Sequence, residues 1–138
     1  MNKMLQALVD TRKHTLDLSG KETVLIVDDE MALRSVLTYA LSEFGYRVLE
    51  ASNGLQALDV LESNEVDLVI SDITMPEMDG FELVENIHKL YPNMLIQLVS
   101  GYSDKVDEDV VLHKKLLYKP YNINEMLQRI RKLLDQHQ

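Results

Sequence analysis

The sequence predicts an α/β fold, a doubly wound five-stranded parallel sheet in the order 2-1-3-4-5 with helices on both faces. Three observations carry that prediction. Short aliphatic runs recur from Val24 onward, nearly continuous as strands buried on both faces must be. Between them, apolar residues return at helical spacing and form one stripe each. Strand and helix alternate strictly, and the right-handed crossovers this requires place helices on either side of the sheet.

The first strand is Val24 to Asp28, and Leu33, Val36, Leu37, Ala40, Leu41 and Phe44 form the stripe of the helix after it. Gly45 sits where a helix end favours a left-handed residue. The second strand is Tyr46 to Ala51, followed by a helix whose apolar stripe is Leu55, Leu58 and Leu61, with Asn64 just past its end. Val66 to Ser71 is the third strand, and the helix after it starts at Asp79, where Glu82 three residues on completes an N-cap pattern, carries Leu83, Val84, Ile87 and Leu90, and stops before Pro92. Met94 to Val99 is the fourth strand. The segment Asp104 to Lys115, with Val106 and Val110, is expected to be a short helix. Leu116 to Tyr118 makes the fifth strand, and Asn122 with Glu125 starts the last helix, whose stripe is Ile123, Met126, Leu127, Ile130, Leu133 and Leu134.

With 138 residues, 46% of them hydrophobic and 27% charged, the chain suits one globular domain with a sizeable core. Residues 1–21 are expected to be an N-terminal arm or linker and 22–138 the domain; Met4, Leu5, Leu8 and Val9 have helical spacing within the arm. No apolar run approaches the ~20 residues that span a bilayer, and the N-terminus lacks a signal peptide's apolar core. Zero cysteines fit a reducing compartment, so a cytoplasmic location is expected. A net charge of −9 repels polyanions, which argues against direct nucleic-acid binding, and invites a hard cation wherever carboxylates converge.

They converge at one place. In a 2-1-3-4-5 sheet the crevice lies beyond the carboxyl ends of strands one and three, where Asp28, Asp29 and Asp72 fall. The fourth and fifth strands end near Ser100 and Lys119. Packed carboxylates raise one another's pKa values unless a cation holds them, and an oxygen-only set selects Mg²⁺, with Mn²⁺ able to substitute. With the metal and Lys119 neutralising phosphate oxygens, a carboxylate oxygen can attack phosphorus in line and form an acyl phosphate, while Ser100 donates its hydroxyl. Alone, Asp28 and Asp29 suit a helix cap equally well, Lys119 a solvated lysine, and Ser100 nothing in particular.

The runs Val24 to Glu30, Ser71 to Gly80, Val99-Ser100-Gly101 and Tyr118-Lys119-Pro120 together resemble the receiver domain of bacterial two-component response regulators, over roughly Glu22 to Asp135. The resemblance implies a flavodoxin-like receiver fold and a signalling phosphoprotein that catalyses its own phosphorylation and dephosphorylation. Asp72 then takes its phosphoryl group from a phosphohistidine on a sensor histidine kinase or histidine phosphotransfer protein. Asp28, Asp29, Asp72 and the backbone carbonyl of Thr74 hold Mg²⁺, Ser100 is the switch hydroxyl, and Lys119 precedes a cis bond to Pro120. The surface that responds comprises the segment 104–115, the fifth strand and the last helix. The chain is either free-standing or one module of a hybrid sensor kinase.

Leu116 departs from the pattern, standing where that family usually places an aromatic that moves with the hydroxyl, and Leu112 and His113 replace a small-residue pair. These departures motivate a second reading, a receiver-like interaction module that does not use phosphate. A third, a Mg²⁺-dependent aspartyl phosphatase, requires Asp-x-Asp after the first strand, whereas the chain reads Asp28-Asp29-Glu30. Asp79 and Gly80 are assigned a helix cap, Met75, Pro76 and Met78 a loop wall, and the four histidines a solvated role.

Overall fold

A computed structural model describes residues 17–101 and 116–136. Within them, β1 (Thr23–Val27), α1 (Met31–Glu43), β2 (Arg47–Ala51), α2 (Gly54–Ser63), β3 (Leu68–Asp72), α3 (Gly80–Leu90), β4 (Leu95–Ser100), β5 (Leu117–Tyr118) and α4 (Ile123–Gln136) follow in order. The strands form one sheet in the order β2-β1-β3-β4-β5, each neighbouring pair parallel, as the alternation predicted. The segment Asp104 to Lys115 and the apolar spacing at Met4 to Val9 lie outside the described residues.

Period-two alternation sends the two faces of each central strand into different cores. Val24, Ile26, Leu68, Ile70 and Val99 pack under Leu37 and Leu41 of α1 and Met126, Leu127, Ile130 and Leu134 of α4. Leu25, Val27 and Val69 pack on the opposite face with Ala57 and Leu61 of α2 and Leu83 and Ile87 of α3. A smaller cluster of Ile73, Leu98 and Leu116 fills the flank beside Phe81 and Val84.

The caps follow the sequence closely. Asp79 accepts from the Glu82 amide at 2.8 Å and Asn122 from the Glu125 amide at 2.6 Å, each supplying a helix with an acceptor that its first turn lacks. Gly45 takes the positive φ of 98° that its place after α1 required. Asn53 caps α2 by accepting from the Gln56 amide at 2.9 Å. β3 begins two residues later than the sequence suggested, because the Asp67 carboxylate accepts from the Thr23 amide at 2.8 Å and a side chain replaces a ladder carbonyl there.

Leu18, ahead of β1, is buried in the core shared by α1 and α4. Among the described residues no helix is long and apolar enough to cross a membrane.

Candidate functional site

β1 and β3 are adjacent and parallel, with Val27 opposite Ser71, so the residues just beyond them face the same solvent crevice. Asp28 follows β1 and is buried; Asp72 ends β3 and is buried; Asp29 is exposed. One oxygen from each of the three carboxylates lies within 4.8 Å of the others. The helix-cap alternative for the acidic pair is not what the backbone adopts: Glu30 is the N-cap of α1 and makes no side-chain cap. Asp28 instead closes a turn, its Oδ1 accepting from the Glu30 amide at 2.9 Å.

β5 is short, and Lys119 is placed by the main chain, its amide donating to the Ser100 carbonyl at 2.8 Å. The Lys119–Pro120 bond is cis, as expected. Lys119 Nζ reaches Asp72 Oδ2 at 2.9 Å and Asp28 Oδ2 at 3.3 Å. The remaining Asp72 oxygen accepts from the Thr74 amide at 3.3 Å. Ser100 is fully buried at the end of β4, its hydroxyl donating to the Gly101 carbonyl at 3.1 Å. The sequence-predicted residues therefore meet at one end of the sheet, with Asp28, Asp72 and Lys119 in direct contact and Ser100 joined to Lys119 through the backbone.

Charge is unevenly balanced there. Burial pushes the Asp72 carboxyl above its usual range and Asp28 adds to the effect, outweighing the hydrogen bond and charge of Lys119. Burial pulls the Lys119 ammonium down, yet the hydrogen bond and charge of Asp72, with the charge of Asp28, carry it above its ordinary value. Burial also raises the Tyr121 hydroxyl, beside this group. Among the described residues, the Lys119 ammonium reaches two of the three clustered carboxylates, and the donor set is oxygen alone. These residues fit a hard divalent cation with open positions for water or phosphate, the coordination that Mg²⁺ prefers.

Two contributors lacked a sequence signature as site residues. Arg34, in the first turn of α1, donates from Nη1 to the Asp28 carbonyl and pairs with Glu50 at 3.0 Å, fixing the acidic turn against β2. A cation in a first turn opposes the helix dipole, which was the one available hint. Gly80 does more than start α3. A Cβ there would lie 2.6 Å from the Asp72 carbonyl oxygen and 2.8 Å from Ile73 Cα, so the glycine lets the helix approach the backbone of Asp72.

An apolar groove of about 480 Å³ opens beside Lys119, lined by Leu33, Val36 and Leu37 of α1 with Pro120, Tyr121 and Ile123. Met31, Leu33 and Val36 are exposed along it or next to it.

Comparison with known proteins agrees with this geometry. The family model of the response regulator receiver domain matches residues 24–131. The chain is 39% identical over 124 residues to the sensor kinase CckA of Brucella abortus, an overlap of 86% of this chain and 13% of that protein. It is 33% identical to sporulation initiation phosphotransferase F of Bacillus subtilis, covering 82% of this chain and 94% of that protein. Among solved structures, a CheY-like response regulator receiver domain protein from Methanospirillum hungatei JF-1 superposes with a TM-score of 0.76 at 31% identity, over 86% of this chain and 97% of that one.

Proposed function

We propose, from the premise that this chain belongs to the response regulator receiver domain family, that Asp72 takes a phosphoryl group from a phosphohistidine on a partner kinase or histidine phosphotransfer protein. The observation that carries the proposal is the contact of Lys119 Nζ with Asp72 at 2.9 Å inside the three-carboxylate cluster. An Asp72 oxygen forms its bond to phosphorus as the donor's nitrogen–phosphorus bond breaks, and the electron pair returns to the imidazole. Asp28, Asp29 and Asp72, with the Thr74 carbonyl, would hold Mg²⁺ or Mn²⁺. The bound ion supplies positive charge that offsets the carboxylates and the phosphoryl oxygens together.

The residues of the chain do the rest. Lys119 keeps its proton, because two carboxylates raise its pKa, and presents a fixed positive charge to one phosphoryl oxygen. Ser100 turns its hydroxyl from the Gly101 carbonyl to another phosphoryl oxygen, a change in one buried rotamer that the β4–β5 end of the sheet would transmit to the interaction surface. The groove supports docking of the partner's histidine-bearing helix, since its apolar wall adjoins Lys119, which contacts the acceptor. Relatives that include a sensor kinase support a kinase as donor.

Intact mass after incubation with phosphoramidate and Mg²⁺ tests the reading. A single metal-dependent phosphoryl adduct is expected, absent from Asp72→Asn; an undiminished adduct in that variant refutes the assignment. A second reading, a module that acts without phosphate, draws on Leu116, which is an aliphatic residue buried against Ile73 and Leu98. Absence of any adduct in folded protein would favour it.

A further inference from the structure

We propose that residues 17–22 are a docked strap of the domain, closed by Arg131, so that the domain extends ahead of β1 to Asp17 at the pole opposite the carboxylate site. The sequence reads as a linker here, with Ser19, Gly20 and Lys21 ahead of β1. Three kinds of contact show a built seat instead.

The first is apolar. Leu18 is 8% exposed and sits in one core cluster with Leu41, Tyr46 and Leu134. The second is polar and centred on one side chain. Arg131 of α4 donates to both Glu22 carboxylate oxygens, at 3.0 and 2.7 Å, to the Ser19 carbonyl at 3.2 Å and to the Tyr46 hydroxyl at 3.1 Å. Asp135, one turn further along α4, accepts from it at 2.8 Å. The Tyr46 hydroxyl donates to the Leu18 carbonyl at 3.3 Å, and the Gly20 amide to the Phe44 carbonyl at 3.0 Å. Such fork-shaped, charge-assisted bonds fix direction as well as distance.

The third is steric. A Cβ on Gly20 would lie 2.5 Å from Arg131 Nη1 and from Tyr46 Cε1, and one on Gly45 would lie 2.5 Å from the Gly20 carbonyl oxygen. Two glycines distant in sequence thus clear the space in which the strap and the α1–β2 turn meet. The strap lies ahead of the residues matched to the receiver family, 24–131, and Asp135 lies after them. The clasp therefore includes residues on both sides of the shared fold.

The strap joins β1 at its amino end, whereas Asp28 and Asp29 follow its carboxyl end, about 17 Å away at the rise of a five-residue strand. The strap thus lies away from the crevice, and residues 17–22 leave a phosphoryl donor's approach open. The docking itself is independent of phosphate chemistry.

Amide hydrogen exchange on the full chain tests it. In the native protein the Gly20 amide should be protected about 100-fold or more relative to an unstructured peptide. Arg131→Met should bring Gly20 to within about tenfold of the unstructured rate while the Leu25 and Ile70 amides stay protected by about 1,000-fold or more. Glu22→Gln, a milder change should the first variant fold poorly, should act in the same direction. Exchange of Gly20 at the unstructured rate in the native protein, or a Gly20 amide that stays as protected as Leu25 and Ile70 in both variants, would overturn the proposal.

Discussion

Replacing Lys119 with methionine in metal-free protein isolates the electrostatics of the site. The ammonium lies 2.9 Å from Asp72 and 3.3 Å from Asp28, with side-chain exposures of 19%, 7% and 11% for Lys119, Asp72 and Asp28. At the effective dielectric that suits such pairs, these separations correspond to about 6 and about 5 kcal/mol of gross attraction. Much of that offsets desolvation, so the expected loss is the one typical of stranding a buried charge, about 3–5 kcal/mol at neutral pH. Asp72→Asn should be mild or stabilising, because burial and Asp28 already disfavour the charged carboxyl. The double variant should then lose less than Lys119→Met alone, a coupling of at least about 1 kcal/mol.

The pH dependence has a defined sign. Lys119 has a raised folded pKa, so its contribution is fully present below 10.5 and is lost only as pH rises through the folded value. Asp72 is an acid with a raised folded pKa, so the cost of its charge fades as pH falls through the folded value toward 3.8. The deficit of Lys119→Met should therefore shrink on acidification. Urea unfolding with chelator present, followed by circular dichroism over a pH series, measures all of this. A Lys119→Met protein within about 0.5 kcal/mol of the parent at neutral pH would refute the reasoning.

Glu22, whose carboxyl is held down to about 2 chiefly by its hydrogen bonds to Arg131, stabilises the fold fully above 4.5 and progressively less as pH falls toward 2. The stability gap between the parent and Glu22→Gln, about 2–3 kcal/mol at neutral pH, should close across that window in acid titrations of unfolding. Gly80→Ala must push α3 from the Asp72 backbone and should cost about 1–3 kcal/mol. It should also slow adduct formation, read as the rate of mass gain. Thr38 carries a buried hydroxyl without a partner, the one such side-chain atom among the described residues. Thr38→Val should raise stability by about 1 kcal/mol in urea unfolding, and a lower midpoint would show that the hydroxyl is satisfied in solution.

What the sequence disclosed depended on how local the cause was. The strands of the sheet are legible because Val24 to Val27 and Val69 to Ile70 are apolar on both faces, and the caps at Asp79 and Asn122 because cap and partner lie three residues apart. Asp28, Asp72 and Lys119 were legible as a group once topology set the strand order, since each lies at a strand's carboxyl end. Arg34 and Gly80 were not, because their roles rest on backbone atoms of Asp28 and Asp72 that no residue type announces. The strap was hidden for a stronger reason. Its composition is that of a linker, and the residue that seats it, Arg131, lies 112 positions beyond Ser19.

The separation of 91 positions between Asp28 and Lys119 bears on biosynthesis. The acidic pair emerges early in translation and the lysine late, and between them lie most of the crossovers that order the sheet. A nascent chain that has released Asp28, Asp29 and Asp72 but not the last strand holds carboxylates without their ammonium, and without the strand end that positions it. On the proposed function, reactivity toward phosphoryl donors thus arrives with completion of the fold. A copy truncated ahead of β5 lacks the ammonium that faces Asp72 and, on the same reading, should gain no phosphoryl adduct.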